Sequence, residues 1–535
     1  MTEKNKKVVT RLAPSPTSPY GLHVGNIRTM LFSYIFAKQN DGIFYLRIED
    51  TDQDRFCEGS EEQIKKTLDW LGIVPDFSPW SNDKPFGTMR QSERDYSEHV
   101  QFLLDNGFAY YAFDTKEELN ALRMEAEINK QNFSYNYSNR MYLNNSLSLS
   151  KESVKELLDN NTPYVIRFKV IPDQIIKFID IVKGEMTFNS NEMDDKVLIK
   201  TNKIASYHLA NCCDDHNMGT THTIRGEEWV SSTPLHIMLY NAFGWDYPIF
   251  AHLPSVLNPA PLPGKLSKRN AVKLGIPIFP FGGPGVDDKG VKFELKGLVE
   301  EGYDPAAFIN FLLLLGWTHP EGNEIISLQE AIDSFDLHKV HNHGARYDID
   351  KLKYFNGWYL QNKVSNDELF THVNFGDTHY NEDEKLAILD MAKKRSHFKK
   401  DMQHVVDIFT KPVVLDDKQL KSISEVQMDT LLAFLNIITL DLTGTKMMVY
   451  SDIEDNEWTP EYVKECVEKA CVKTGLKAGK IMPVLRTILA GGTTGPDMFT
   501  FMNIIKRQET FQRISEVALN TDELNMDEHV NKIKC

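Results

Sequence analysis

VVTRLAPSPTSPYGLHVGN, residues 8–26, is the stretch whose reading decides the fold. Residues 6–13 predict a buried strand that stops at Pro14, and the PSPTSPYG that follows is a loop dense in turn formers. A helix is then predicted from near Asn26, because Ile27, Met30, Leu31, Tyr34 and Ile35 recur at helical spacing and make one apolar stripe. Beyond it Phe44, Leu46 and Ile48 alternate with Tyr45, Arg47 and Glu49, the period of a strand, whose end delivers Glu49, Asp50 and Asp52. Strand, helix and strand within about 45 residues form a βαβ unit, the seed of a parallel sheet.

The remainder of the chain bounds what that seed belongs to. Its 535 residues leave room for about three to five domains, and 41% hydrophobic with 25% charged residues is an ordinary globular balance. A net charge of -16 argues against a surface coated with nucleic acid, while leaving room for one basic track. The polar opening MTEKNKK and the brevity of the longest apolar run, Ala306 to Leu315, predict a cytoplasmic protein without a membrane span. Six cysteines with Cys212 and Cys213 adjacent give neither a disulfide framework nor paired CxxC spacing, and they read as reduced thiols.

Along the chain, residues 95–203 mix helical and short strand segments, among them YVIRFKV at 164–170, and read as an insertion. Sheet character returns at Thr223–Arg225 and Ile249–Leu257, so the first fold is interrupted and then completed, and PAPLPGKLSKRN at 259–270 closes it. After Ala306 the pattern is mostly helical. The run KKRSHFKK at 393–400 reads as a solvated helix face. His341 and His343, lacking thiol or carboxylate companions, read as structural.

Two segments carry phosphate chemistry. Gly21-Leu-His23-Val-Gly25-Asn26 lies where a strand passes into a helix, so free N–H groups and the helix dipole favour phosphate, Gly25 admits a close approach, and His23 is placed to donate to phosphate oxygens. Lys265-Leu-Ser267-Lys268-Arg269 gathers three cations on a loop made mobile by Gly264, suited to closing over a triphosphate and neutralising a departing pyrophosphate. Alone, the first is an ordinary turn histidine and the second a basic loop. Together, flanking one interrupted α/β fold, they point to ATP activation. Arg11 and Arg225, at the ends of two sheet segments, offer guanidiniums suited to carboxylates, and Glu49 offers an anionic group suited to an ammonium. Tyr207 and Asn211, four apart, share one helical face.

HVGN and KLSKR resemble the two signatures of class I aminoacyl-tRNA synthetases, with Asn26 in place of the second histidine of the first, a replacement familiar in the glutamyl branch. RLAPSPT, RIEDTD, YHLAN and IRGEEW are similar to the glutamyl-tRNA synthetase family, bacterial type, strongly over the first 360 residues and more loosely beyond. The resemblance implies an α/β fold: a Rossmann-like parallel-sheet catalytic domain (1–94 and 204–258), an inserted α+β domain that binds the acceptor end (95–203), a stem-contact domain carrying the KLSKR loop (259–342) and an all-helical anticodon-binding region (343–535). It implies a glutamate site of Arg11, Ala13, Ser15, Glu49, Tyr207, Asn211 and Arg225. It further implies an ATP site of His23, Gly25, Asn26, Glu228, Trp229, Lys265, Ser267, Lys268 and Arg269, with His23, Lys265 and Lys268 catalytic. ATP, L-glutamate and tRNA(Glu) are the implied partners, with Mg²⁺ accompanying the triphosphate, activation dependent on tRNA, and a monomer expected.

Many members of that family carry zinc in the inserted domain. Here the neighbourhood reads Tyr110-Tyr-Ala-Phe113 with no cysteine between Cys57 and Cys212, so no zinc is expected. The helical tail, including the segment from Gly475 to Phe499, separates this reading from the glutaminyl and archaeal-type enzymes, for which strand-rich barrels are expected there. A shorter enzyme that glutamylates a tRNA nucleoside would lack the tail. A non-catalytic paralogue would not need His23, Lys268 and the arginines, and a nucleotidyltransferase that does not use tRNA would not need some 200 helical residues.

Overall fold

Val9–Leu12 and Ile43–Leu46 pair in parallel, Val9 opposite Ile43 and Leu12 opposite Leu46, in the computed structural model of the chain. The structure describes residues 7–286, 289–439, 458–492 and 497–533; the opening residues 1–6 and the segment 493–496 of the tail, both used in the sequence reading, lie outside the described residues. The helix between the two strands runs Val24–Gln39 and starts two residues before Asn26. The reason is a cap that spacing does not reveal: His23 is the N-cap, its ring Nδ1 accepting from the N–H of Gly25 at 2.9 Å. Gly25 is needed there, because a Cβ at that position would stand 2.7 Å from Cε1 of the folded-back His23 ring. Ile27, Met30, Leu31 and Ile35 are buried as the stripe predicts, and Phe32 and Ser33 with them, since the helix lies against the sheet and also against the helices Pro305–Leu313 and Leu328–Ser334.

The sheet is completed far along the chain. His222–Gly226 pairs in parallel with Ile249–Leu253, and Thr221 ties this half to the first by donating its N–H to Val9 O at 3.0 Å and accepting from Val9 N on its hydroxyl at 2.8 Å. The second sheet segment is split into Ile249–Leu253 and Val256–Leu257. Pro254, with no N–H to give a ladder, falls in the break.

Residues 95–203 hold one sheet of their own and two strands of another. Ala109–Ala112, Val165–Phe168 and Val197–Ile199 form an antiparallel three-stranded sheet. Ile175–Asp180 and Gly184–Asn189 form a hairpin whose first strand joins the edge of the parallel sheet through Asp180 opposite Phe250. The centre of the three-stranded part is a buried carboxylate, Asp195, which accepts from the Tyr110 hydroxyl at 2.7 Å, from Val170 N at 2.9 Å and from Arg140 Nη1 at 3.0 Å. Among the described residues no group of three or more His, Cys, Asp or Glu is placed to hold a metal ion.

The chain divides into two compact units, Met1–Phe355 and Asn356–Cys535. Among its described residues the second is helical, built around Phe434, Trp458, Ile488 and Phe501. The basic run does not form one helix face, because it crosses the connection between the helices Glu382–Lys393 and Lys399–Thr410; there Lys394 pairs with Asp390 at 2.6 Å, Lys399 with Glu368, and Lys393 donates to Val364 O at 2.8 Å. No described helix is long and apolar enough to cross a membrane.

Candidate active site

The parallel strands all release their chains at one end, where open α/β sheets characteristically place ligands. A cleft of about 370 Å³ opens there. Arg11, Ala13, Ser15, His23, Gly25, Asn26, Glu49, Tyr207, Arg225, Glu228, Trp229 and Lys265 line it, so residues separated by more than 200 positions meet in one cavity. Asn211 stands behind this lining and donates from Nδ2 to Glu49 Oε1 at 3.3 Å. Ser267 caps the Lys268–Leu274 helix by accepting from Asn270 N. Lys268 holds its ammonium 5.3 Å from the Tyr20 ring centre and 5.4 Å from that of Phe293, and Arg269 is exposed. These last three stand beside the cleft at the cap and first turn of that helix, so only the Lys265–Ser267 part of the basic segment is loop.

The floor of the cleft around Arg11 and Glu49 is a buried ion network. Asp215 receives Arg11 Nε at 3.1 Å and Arg47 Nη1 at 2.9 Å, and Arg47 Nη2 also reaches Glu49 Oε1 at 2.8 Å. Asp214 faces Arg47 at 3.7 Å and Arg94 at 3.4 Å. Three guanidiniums, Arg11, Arg47 and Arg94, therefore meet three carboxylates, Glu49, Asp214 and Asp215, and the cluster is balanced. Burial opposes charge on Asp215, yet Arg11 and Arg47 outweigh it and hold that carboxyl below its usual range; burial pushes Glu49 up, with Arg47 opposing. Arg47, Asp214 and Asp215 are absent from the sequence-derived site. A signal for Asp215 does exist, because Tyr207, Asn211 and Asp215 follow at successive steps of four along the Tyr207–Asn217 helix.

Arg225 is held differently. Its Nε donates to His252 Nε2 at 3.0 Å, Nη1 to the Tyr207 hydroxyl at 3.2 Å and Nη2 to Thr233 Oγ1 at 2.9 Å, while His236 Nδ1 lies 3.3 Å from Nη1. None of these partners is a carboxylate, so the guanidinium charge faces the cleft uncompensated. Arg28, a further unpredicted lining residue, donates to the carbonyls of Leu315 and Pro254 and anchors the Val24–Gln39 helix.

At the start of the Val24–Gln39 helix, burial and then Lys265 push the His23 imidazole down to about 4, so the ring is neutral near neutral pH. Because Nδ1 accepts from Gly25 N, the proton of the neutral ring resides on Nε2, which makes it a donor. Lys265 pairs with Glu228 at 3.2 Å, both half-exposed. Glu227 faces elsewhere: it binds Lys183 at 2.6 Å and Ser255 N at 2.8 Å, contacts that outweigh burial and lower its carboxyl to about 2. Asp50 accepts from Ser92 N at 2.8 Å and Asp52 pairs with Arg55, both structural partners. The Trp229 ring packs on Tyr207 at 4.2 Å between centres.

A parallel sheet split by an insertion, with a helix-capping histidine and a basic loop at one cleft, defines a class I tRNA synthetase. Residues 7–276 and 289–354 match the family described as tRNA synthetases class I (E and Q), catalytic domain, and residues 367–518 match an anticodon binding domain. The chain is 41% identical to the glutamate–tRNA ligase of Flavobacterium johnsoniae, over 96% of this chain and 99% of that protein. It is also similar to the crystal structure of a glutamate tRNA ligase from Elizabethkingia meningosepticum in complex with its amino acid (41% identity, TM-score 0.82, covering 96% and 99% of the two chains). A second structure, the glutamate–tRNA synthetase of Elizabethkingia anophelis, matches at 42% identity and TM-score 0.81 over 96% and 100%. The chain belongs to the glutamate–tRNA ligase family.

Proposed function

We propose that this cleft activates L-glutamate with ATP and passes it to the 3′ end of tRNA(Glu), with the following division of labour. Arg225 receives a substrate carboxylate and Glu49 the ammonium, within a pocket completed by Arg11, Ala13, Ser15, Tyr207 and Asn211. The α-carboxylate oxygen attacks the α-phosphorus of ATP, forming the acyl–phosphate bond as the bond to pyrophosphate breaks. His23 donates from Nε2 to the phosphate oxygens at the helix N-terminus formed by Gly25 and Asn26. Lys265, Ser267, Lys268 and Arg269 close over the leaving pyrophosphate, beside Glu228 and Trp229. A terminal ribose hydroxyl of the tRNA then attacks the acyl carbon and AMP departs.

Magnesium is usually held by one or two carboxylates together with phosphate oxygens and water, and Glu228, lining the cleft beside Lys265, is a donor of that kind. Bound there, the ion would shield phosphate charge. The family matches separate a catalytic part ending at 354 from an anticodon-binding part beginning at 367; the finer division into 1–94 with 204–258, 95–203, 259–342 and 343–535 and a cytoplasmic monomer accompany the proposal, checked by limited proteolysis, sedimentation and cell fractionation.

The observation that carries glutamate over glutamine is the uncompensated charge of Arg225 beside a balanced cluster. A substrate with one net negative charge neutralises it, and a zwitterionic amide does not. Pyrophosphate exchange tests the reading: it is expected with glutamate in the presence of tRNA. Equal exchange with glutamine refutes the substrate, and rapid exchange without tRNA refutes the dependence on tRNA.

A further inference from the structure

We propose that Asp180 and His252 are positioning residues that hold Arg225 for the substrate by offering it a lone pair instead of a charge. The inference deepens the assignment of Arg225 to a glutamate carboxylate and rests on it. Asp180 ends the strand that joins the hairpin to the parallel sheet, and its carboxylate is gripped by the backbone N–H groups of Val182 at 3.0 Å, Lys183 at 2.9 Å and His252 at 3.1 Å. Such a carboxylate only accepts, so His252 Nδ1, 2.6 Å away, carries the proton between them. The other nitrogen of the ring, Nε2, then presents its lone pair to Arg225 Nε at 3.0 Å. Both side chains are fully buried, and neither lines the cleft.

The same logic recurs on Nη1. His236 Nδ1 is 3.3 Å from it, and His236 Nε2 is 3.1 Å from His208 Nδ1, a pairing that leaves His236 Nδ1 free to accept when Nε2 donates. Arg11 shows the alternative: held directly by Asp215, it has its charge met within the protein. With an imidazole between Asp180 and Arg225, the guanidinium is oriented as firmly as by a direct ion pair while its charge remains available to a ligand.

Steady-state aminoacylation with glutamate and ATP varied separately tests this. His252→Leu removes the acceptor, and the KM for glutamate is expected to rise about tenfold or more, with the KM for ATP and kcat changed less than about threefold. His252→Gln, whose amide oxygen faces Arg225 while its NH₂ faces Asp180, is expected to restore the KM for glutamate. The isosteric Asp180→Asn gives an independent reading if His252→Leu does not fold: a selective rise in the glutamate KM supports the relay. An unchanged glutamate KM in the folded variants, or an equal rise in the KM for ATP, overturns it. Arg225→Ala is the separating control, since an unaffected glutamate KM there refutes the role of Arg225 itself and not merely its support.

Discussion

His23 divides two tasks between two nitrogens. Nδ1 closes the first turn of the Val24–Gln39 helix, and Nε2 is left as the donor toward the cleft. His23→Asn separates the tasks, because asparagine is among the best N-caps but cannot reproduce the ring. We expect thermal stability to hold within about 1 kcal/mol and glutamate-dependent pyrophosphate exchange to fall on the order of a hundredfold. A large loss of stability with exchange intact would mean that the histidine only caps. Lys268 is exposed and held by aromatic faces, so Lys268→Ala should leave the melting temperature nearly unchanged while slowing activation by about a hundredfold or more. Exchange at the wild-type rate would remove it from the catalytic loop.

At the scale of elements, one helix organises the Arg11 and Glu49 side of the cleft. Tyr207–Asn217 turns Tyr207 to the cleft, Asn211 to Glu49 and Asp215 to two arginines, one residue per turn. The first two of these were legible from their spacing, and the third was passed over because consecutive acids in a sequence carry no sign of what they face. The start of the Val24–Gln39 helix was misplaced for a related reason: the apolar stripe marks where a helix packs, while its end is set by a side-chain cap. In the three-stranded part of residues 95–203, Asp195 is the common acceptor for Tyr110, Arg140 and Val170. Asp195→Ala should destabilise that segment by about 3–5 kcal/mol, since it strands a buried guanidinium. Hydrogen exchange of the Ala109–Ala112 and Val165–Phe168 amides measures it, and unaltered protection would show the network to be dispensable.

For the whole molecule, burial makes stability sensitive to acid. His23, His208 and His222 are each pushed by burial down to about 4, whereas an unfolded histidine titrates near 6.5. Between those values the unfolded chain binds more protons than the folded one, so stability is full above about pH 6.5 and declines as the pH falls toward 4. Melting temperatures measured from pH 7.5 to 5 should drop steadily below about 6.5; a flat profile would show that these rings titrate in the folded protein as they do in the unfolded chain. Glu227, lowered to about 2, contributes no change in that window, because its effect is lost only below the unfolded carboxylate value near 4.3.

The sequence by itself determined the βαβ seed, the interruption and return of the sheet, the helical tail and the residue types needed for ATP and glutamate, because periodicity and short motifs act over neighbouring positions. Only the tertiary structure decided which arginine has its charge met by a carboxylate within the protein. Arg11 and Arg225 are the same side chain near the ends of two neighbouring strands, yet Asp215, 204 residues from Arg11, meets the charge of the first, and histidines from separate elements hold the second. The electrostatic role of a buried ion is set by what folding brings within about 4 Å of it, and that distance has no counterpart along the chain.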